Sequence, residues 1–106
     1  MRITIGGREY TAKADFAAIM DAEESEGIKL EEFGKRGTTE FLIWLFYMVK
    51  RGEKVEGREL ELSRVEFCGT IGMDEIADLA AAMETLMHLG AKEEKATSAG
   101  RGKKKG

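Results

Sequence analysis

The sequence predicts an α+β domain that is mostly α: a short N-terminal β-hairpin followed by four to five helices in a small bundle, with a disordered C-terminal tail. In "RITIGGREYTA" a Gly-Gly pair separates two runs of β-prone residues. From Asp15 to Gly90, helical stripes recur between start and stop signals. Beyond Gly90, "AKEEKATSAGRGKKKG" holds no large apolar residue to bury. A chain of 106 residues with this layout is one domain, residues 1–90, followed by a tail, 91–106.

The hairpin comes first. Gly6-Gly7 supplies the positive φ angles of a two-residue type I′ turn. That turn sets Ile5 opposite Arg8 and Ile3 opposite Tyr10, so Ile3, Ile5, Tyr10 and Ala12 share one face. A lone hairpin is marginal in water, and this face must therefore rest on helices. Asp15 then caps "DFAAIMDAEES", in which Phe16, Ile19 and Met20 have the spacing of a buried stripe, while Asp21, Glu23, Glu24 and Glu26 face water. Gly27 stops this helix, and Ile28 makes the apolar contact that accompanies such a stop. "LEEFGKRG" is one short turn with Leu30 and Phe33 inward.

The next segment is the most apolar. "TTEFLIWLFYMVKRG" carries nine consecutive apolar residues, Phe41 to Val49. Thr38 is placed to cap it, Glu40 puts a carboxylate in the first turn, Lys50 and Arg51 put cations in the last, and Gly52 suits the position beyond the end. A buried strand of nine is the alternative, but the end signals favour a helix. "EKVEGRELEL" follows as a polar loop. Ser63 and Glu66 form a capping box that opens a short helix, with Cys68 on an apolar stripe with Val65 and Ile71. Asp74 caps the last helix, whose Ile76, Leu79, Ala80, Met83, Leu86 and Met87 keep the helical period until Gly90.

Charge narrows the function. Residues 1–90 hold 11 Lys+Arg against 18 Asp+Glu, a net of −7, whereas 91–106 hold 6 against 2. An acidic body repels phosphate backbones, so no nucleic acid is expected on the folded part. A helix-turn-helix protein is disfavoured for the same reason. Nine apolar residues fall short of the roughly 18–20 that a membrane span needs. "MRITIGGREYTAK" has no apolar signal-peptide core, and a single cysteine, Cys68, cannot form an internal disulfide; both fit a cytoplasmic protein.

Catalytic chemistry finds little to work with: one His, one Cys, three Ser and no Pro. His88 sits near a helix end, where a structural or exposed role is expected, and Cys68 reads as a small buried hydrophobe. No His/Cys cluster has zinc spacing, no loop has calcium-hand spacing, and neither "GGREY" nor "GRGKKKG" joins a strand to a helix as a phosphate loop does. The sequence thus predicts no enzyme, metal or cofactor. Binding remains. One layer of neighbours in so small a domain is not expected to enclose an all-round apolar helix, so part of Phe41–Val49 should meet another chain. Met20, Met48, Met73, Met83 and Met87 add flexible side chains suited to varied apolar partners, although they serve equally as core filler. The candidate partner-binding residues are Phe41, Trp44, Leu45, Tyr47, Met48, Met83 and Met87.

The order of pieces in "ITIGGREYTAKADFAAIMDAEESEGIKLEEF", a hairpin running into an acidic helix and then a Gly-Ile-x-Leu break, resembles the tail assembly chaperones of long-tailed (siphovirus-type) bacteriophages and prophages. The likeness continues through the apolar helix and "LELSRVEFCGTIGMDEIADLAAAMETL". It implies a small helical homo-oligomer that binds and solubilises apolar helical segments of the tape measure protein during tail assembly. It also implies an extended form, made by ribosomal frameshift, that recruits the tail tube protein. Such a protein works in the host bacterial cytoplasm and is absent from the mature virion. The family offers no signature residue to carry over, so the candidate site rests on apolar pattern. The alternative is a small oligomerising helical adaptor or regulatory protein that binds one folded partner.

Overall fold

The computed structural model describes residues 1–92 apart from Arg36 and Thr38, and from 93 to 105 only the helix assignment. Strands β1 (Arg2–Ile5) and β2 (Arg8–Thr11) form an antiparallel hairpin. Gly6 and Gly7 both hold positive φ, 58° and 79°, which the type I′ turn demands and side-chain-bearing residues resist. The register is the expected one: Ile3 pairs with Tyr10 and Ile5 with Arg8, and Ile3, Ile5, Tyr10 and Ala12 are all buried. Four helices follow among the described residues: α1 (Phe16–Glu26), α2 (Glu40–Val55), α3 (Arg64–Gly69) and α4 (Ile76–Lys105). Single 3₁₀ turns at Leu30–Glu32 and Met73–Glu75 precede α2 and α4. No helix among the described residues is long and apolar enough to cross a membrane.

Helix α2 is the centre of the molecule and packs against β2, α1, α3 and α4. Trp44, Leu45, Met48 and Val49 have no exposed surface, and Leu42, Phe46 and Tyr47 are buried. Phe67 of α3, also fully buried, joins Tyr10 (5.8 Å between ring centroids) and Phe46 (5.5 Å) in an aromatic cluster. Four elements thus enclose seven of the nine residues of the apolar run, and only Phe41 and Ile43 stay half-buried, so far less of it is left for another chain than expected. The hairpin and α3 cover flanks that a plain helix pair would leave open.

Helix α1 buries the face opposite to the expected one. Ala18 and Ala22 of the helix, and Ala14 just ahead of its Asp15 cap, lie against the core, whereas Phe16 is 59 % exposed and Met20 56 %. A row of alanines lets α1 approach α2 closely; Phe16 and Met20 on that face would hold the two axes apart. Polar contacts fasten the antiparallel pair along its length. Arg51 Nε donates to Asp15 Oδ2 (2.9 Å), Lys50 Nζ sits 3.2 Å from Asp21 Oδ2, and Tyr47 Oη donates to Glu26 Oε2 (2.7 Å). Glu26 also accepts from Arg64 Nε at 2.9 Å, tying in α3. Glu26 and Asp21 are therefore not simply solvated, as the acidic run suggested. Asp15 caps α1 as expected, accepting from the Ala18 amide (2.9 Å), and Gly27 ends it at φ 67° with Ile28 buried behind it.

Other helix ends differ from expectation. Thr38 lies outside the described residues; the residue before α2 is Thr39, whose side chain makes no capping bond. Gly52 does not stop α2. The helix runs to Val55, and the positive φ beyond its end belongs to Gly57. Gly52 is instead the point where α2 touches the chain leaving β2: a Cβ there would lie 2.3 Å from the Thr11 carbonyl oxygen. Glu53, in the expected loop, is a buried helical residue whose carboxylate accepts from the Thr11 amide (3.0 Å) and from Arg58 Nη2 (2.8 Å).

The Ser63–Glu66 capping box is present in both directions. On α3, however, Val65 is 70 % exposed and Phe67 takes the inward position. Asp74 does not cap α4; Glu75 accepts from the Gly72 amide (2.8 Å) and from the Gly6 amide (3.1 Å), fixing the hairpin turn to the start of α4. Gly90, expected as the stop of α4, is a buried helical residue packed on Ala14, where a Cβ would meet the carbonyl oxygen at 2.3 Å. Of the expected disordered tail, 91–106, the structure gives beyond Lys92 only the helix assignment to Lys105.

Candidate protein-binding groove

Turning the alanine face of α1 inward leaves its large apolar side chains outside, next to α4. Two recesses open there. The first, about 320 Å³, is bounded by Phe16 and Ile19 of α1, Leu30 of the following turn, and Met87 and Gly90 of α4. The second, about 460 Å³, is bounded by Phe33, Phe41 at the start of α2, and Ala80, Met83 and Met87 of α4. They meet at Met87. Joined there, they form an apolar trough along the α1–α4 side of the molecule. Phe33, at the mouth of the second recess, leans on Trp44 beneath it, with 6.2 Å between ring centroids.

The seven residues expected to bind partners divide sharply. Trp44, Leu45, Tyr47 and Met48 are buried within the chain, where they hold the fold together and offer the surface little or nothing, and Met83 is buried but forms part of the wall of the second recess. Phe41 and Met87 are half-buried and line the trough. Sequence reasoning missed Phe16, Ile19, Leu30 and Phe33, having assigned them inward. The available signal was the rival pattern of small residues, Ala18 and Ala22 on the other side of α1 with Ala14 just ahead of its cap.

Every charged residue bounding the two recesses is acidic among the described residues: Asp15, Glu40 and Glu84. Glu40 is buried and accepts from the Gly34 amide (3.2 Å) and Trp44 Nε1 (3.3 Å), so it supports the floor rather than the rim. Asp15 is engaged by Arg51. Glu84 is exposed. At the α1 end an adjoining cleft carries Glu23, Glu24 and Glu31 with one cation, Lys29.

No group of three or more His, Cys, Asp or Glu among the described residues is arranged to hold a metal ion. Cys68 is half-buried, and that burial pushes its thiol pKa up, away from the thiolate a nucleophile requires. His88 is exposed on α4. No protein-family model, curated protein or solved structure matches this chain.

Proposed function

We propose that this protein is a phage tail assembly chaperone that binds apolar helical segments of a tape measure protein and keeps them soluble during tail assembly. The carrying observation is the trough beside Phe16 and Met87. It is an unpartnered apolar surface flanked by helices, of the kind that receives an amphipathic helix through anchors at i, i+3, i+4 and i+7. Methionine and phenylalanine side chains there adapt to varied apolar sequences, which suits a chaperone more than a recogniser of one rigid partner. The chain's layout, with its resemblance to the tail assembly chaperones, supplies the identity of the client.

On this reading the protein acts in the host bacterial cytoplasm and is absent from the finished virion, and an extended frameshift product recruits the tail tube protein. Several copies coat one client. Enclosure of all but Phe41 and Ile43 of the apolar run weakens the earlier physical ground for self-association, so any contact between copies falls to the outer surface.

Co-expression with the long tape-measure-like protein of a neighbouring gene tests client and activity together. Solubility of that protein should depend on this chain. Phe16→Glu, at an exposed position, should abolish the rescue while the variant keeps the native circular dichroism spectrum. A client equally soluble alone sinks the chaperone reading; full rescue by folded Phe16→Glu removes the trough from it. Capture of a single folded partner instead would favour the adaptor alternative.

A further inference from the structure

Helix α4 is held differently from its neighbours. Helices α1 and α2 are fastened to each other along their length through Asp15, Asp21 and Glu26. Among the described residues of α4, no side chain from Ile76 to Lys92 makes a hydrogen bond or ion pair with another element; Thr85 Oγ1 donates to the Ala81 carbonyl within the helix (3.1 Å). The polar anchor stands just ahead of α4, where Glu75 accepts from the Gly72 and Gly6 amides. We infer that residues 76–92 form a hinged arm, which lifts from the core as one body about the Glu75 anchor while the hairpin, α1, α2 and α3 stay folded.

The arm rests on a narrow seat. At about 100° per residue, the buried Leu79, Met83, Leu86 and Gly90 fall within a strip about 60° wide, where a core-facing helix buries about 100° or more. Recesses border this strip on both sides. Leu89, to one side, lines a recess of about 500 Å³ against Gly52 and Val55 of α2, and Met87, to the other, lines both recesses of the trough. The arm thus meets the core along one line of apolar contact, and a segment so held opens before the fastened body does. Lifted, it bares Leu79, Met83 and Leu86 and merges the three recesses into one apolar channel over α2 and Ala14.

Amide hydrogen exchange of the full chain, read peptide by peptide by mass spectrometry, tests this. A lifted helix of about 17 residues is marginal in water, so its amides exchange while it is away from the core. Segment 76–92 should exchange at one common rate, at least about tenfold faster than the buried centre of α2, the ratio expected where a single charged hydrogen bond is missing. A double variant, Tyr47→Phe with Ser63→Ala, loosens the body by removing the bond to Glu26 and the cap of α3. It should speed exchange in α2 by about tenfold and leave 76–92 at the parent rate, because the body is folded in both the closed and the lifted form.

Equal rates for 76–92 and α2 in the parent would show that α4 leaves the core only in global unfolding, and the arm is then overturned. Quickening of 76–92 in step with α2 in the double variant overturns it on the same ground. Fast exchange confined to the last turn, with 76–86 as protected as α2, would be fraying of a helix end and overturns it as well. None of these outcomes bears on whether the closed trough takes a client, which the co-expression experiment decides.

Discussion

Replacing Gly52 by alanine should destabilise this protein although it replaces a poor helix former with the best one. In an ordinary helix interior the exchange stabilises by about 1 kcal/mol. Gly52 lies inside α2 but faces the chain leaving β2: the new Cβ would sit 2.3 Å from the Thr11 carbonyl oxygen and 2.6 Å from Ala12 Cα. Both neighbours are backbone, so no side chain can swing aside. The helix and the strand end must separate, by about 1 Å if a normal carbon contact is to be restored.

That movement strains two bonds spanning the gap, Lys13 amide to Met48 carbonyl (2.9 Å) and Thr11 amide to Glu53 (3.0 Å). Overpacking costs about 1–3 kcal/mol and each weakened hydrogen bond about 1 kcal/mol, so after the propensity gain the net loss is about 2–4 kcal/mol. For a domain this size that lowers Tm by roughly 10–25 °C. Gly69→Ala is the internal control. Gly69 is the last residue of α3, has no positive φ, and has nothing within 4 Å of its would-be Cβ. It should gain about 0.5 kcal/mol. Urea unfolding followed through Trp44, the single and fully buried tryptophan, measures both. A Gly52→Ala protein as stable as the parent would refute the close-contact account of α2 against the hairpin.

Four further outcomes are expected. Burial, and then the hydrogen bond to Glu26, pushes the Tyr47 pKa from its ordinary 10 up to about 12. The neutral phenol is thus favoured in the fold, and its stabilising effect, complete below pH 10, fades between pH 10 and about 12. The difference in phenolate absorbance between the parent and Tyr47→Phe should titrate near 12; a midpoint near 10 would contradict the burial.

Arg58, opposed by burial and aided by the Thr11 amide, holds the Glu53 carboxyl below its ordinary 4.5, so the stability it provides is lost as pH falls through that depressed value. Glu53→Gln should flatten the acid limb of urea midpoint against pH, and an unchanged limb would rule the pair out as its source. Ser63→Ala removes one half of the capping box and should cost about 1 kcal/mol in urea unfolding; a loss below about 0.3 kcal/mol would mean that α3 is held by Phe67 alone. Trp44→Glu buries a charge in the centre of the core and should leave no folded protein by circular dichroism, whereas a folded Trp44→Glu would return that side chain to the surface.

Wherever a feature depends on residues a few positions apart, the sequence alone determined it. The Gly6-Gly7 turn, its register, the Asp15 cap, the Gly27 stop and the Ser63–Glu66 box all appear as expected, because each is a local contest between backbone geometry and a nearby side chain. Which face turns inward is not local. Helix α1 carries two stripes, Phe16/Ile19/Met20 and Ala18/Ala22, the second prolonged by Ala14 ahead of the cap, and hydrophobicity alone favours the first. The close approach of α2, clipped by Asp15, Asp21 and Glu26, selects the second.

Gly52 and Gly90 look like helix stops in sequence, but tertiary contact makes them the places where backbone meets backbone. The candidate site follows the same division. Phe41, Met83 and Met87 were found through apolar pattern, while Phe16, Ile19, Leu30 and Phe33 became visible only once packing had put the alanines inside. The apolar run of α2, the most conspicuous feature of the sequence, became core because the hairpin, α1, α3 and α4 surround it, and that enclosure depends on elements as far away in the chain as Ile3 and Leu86.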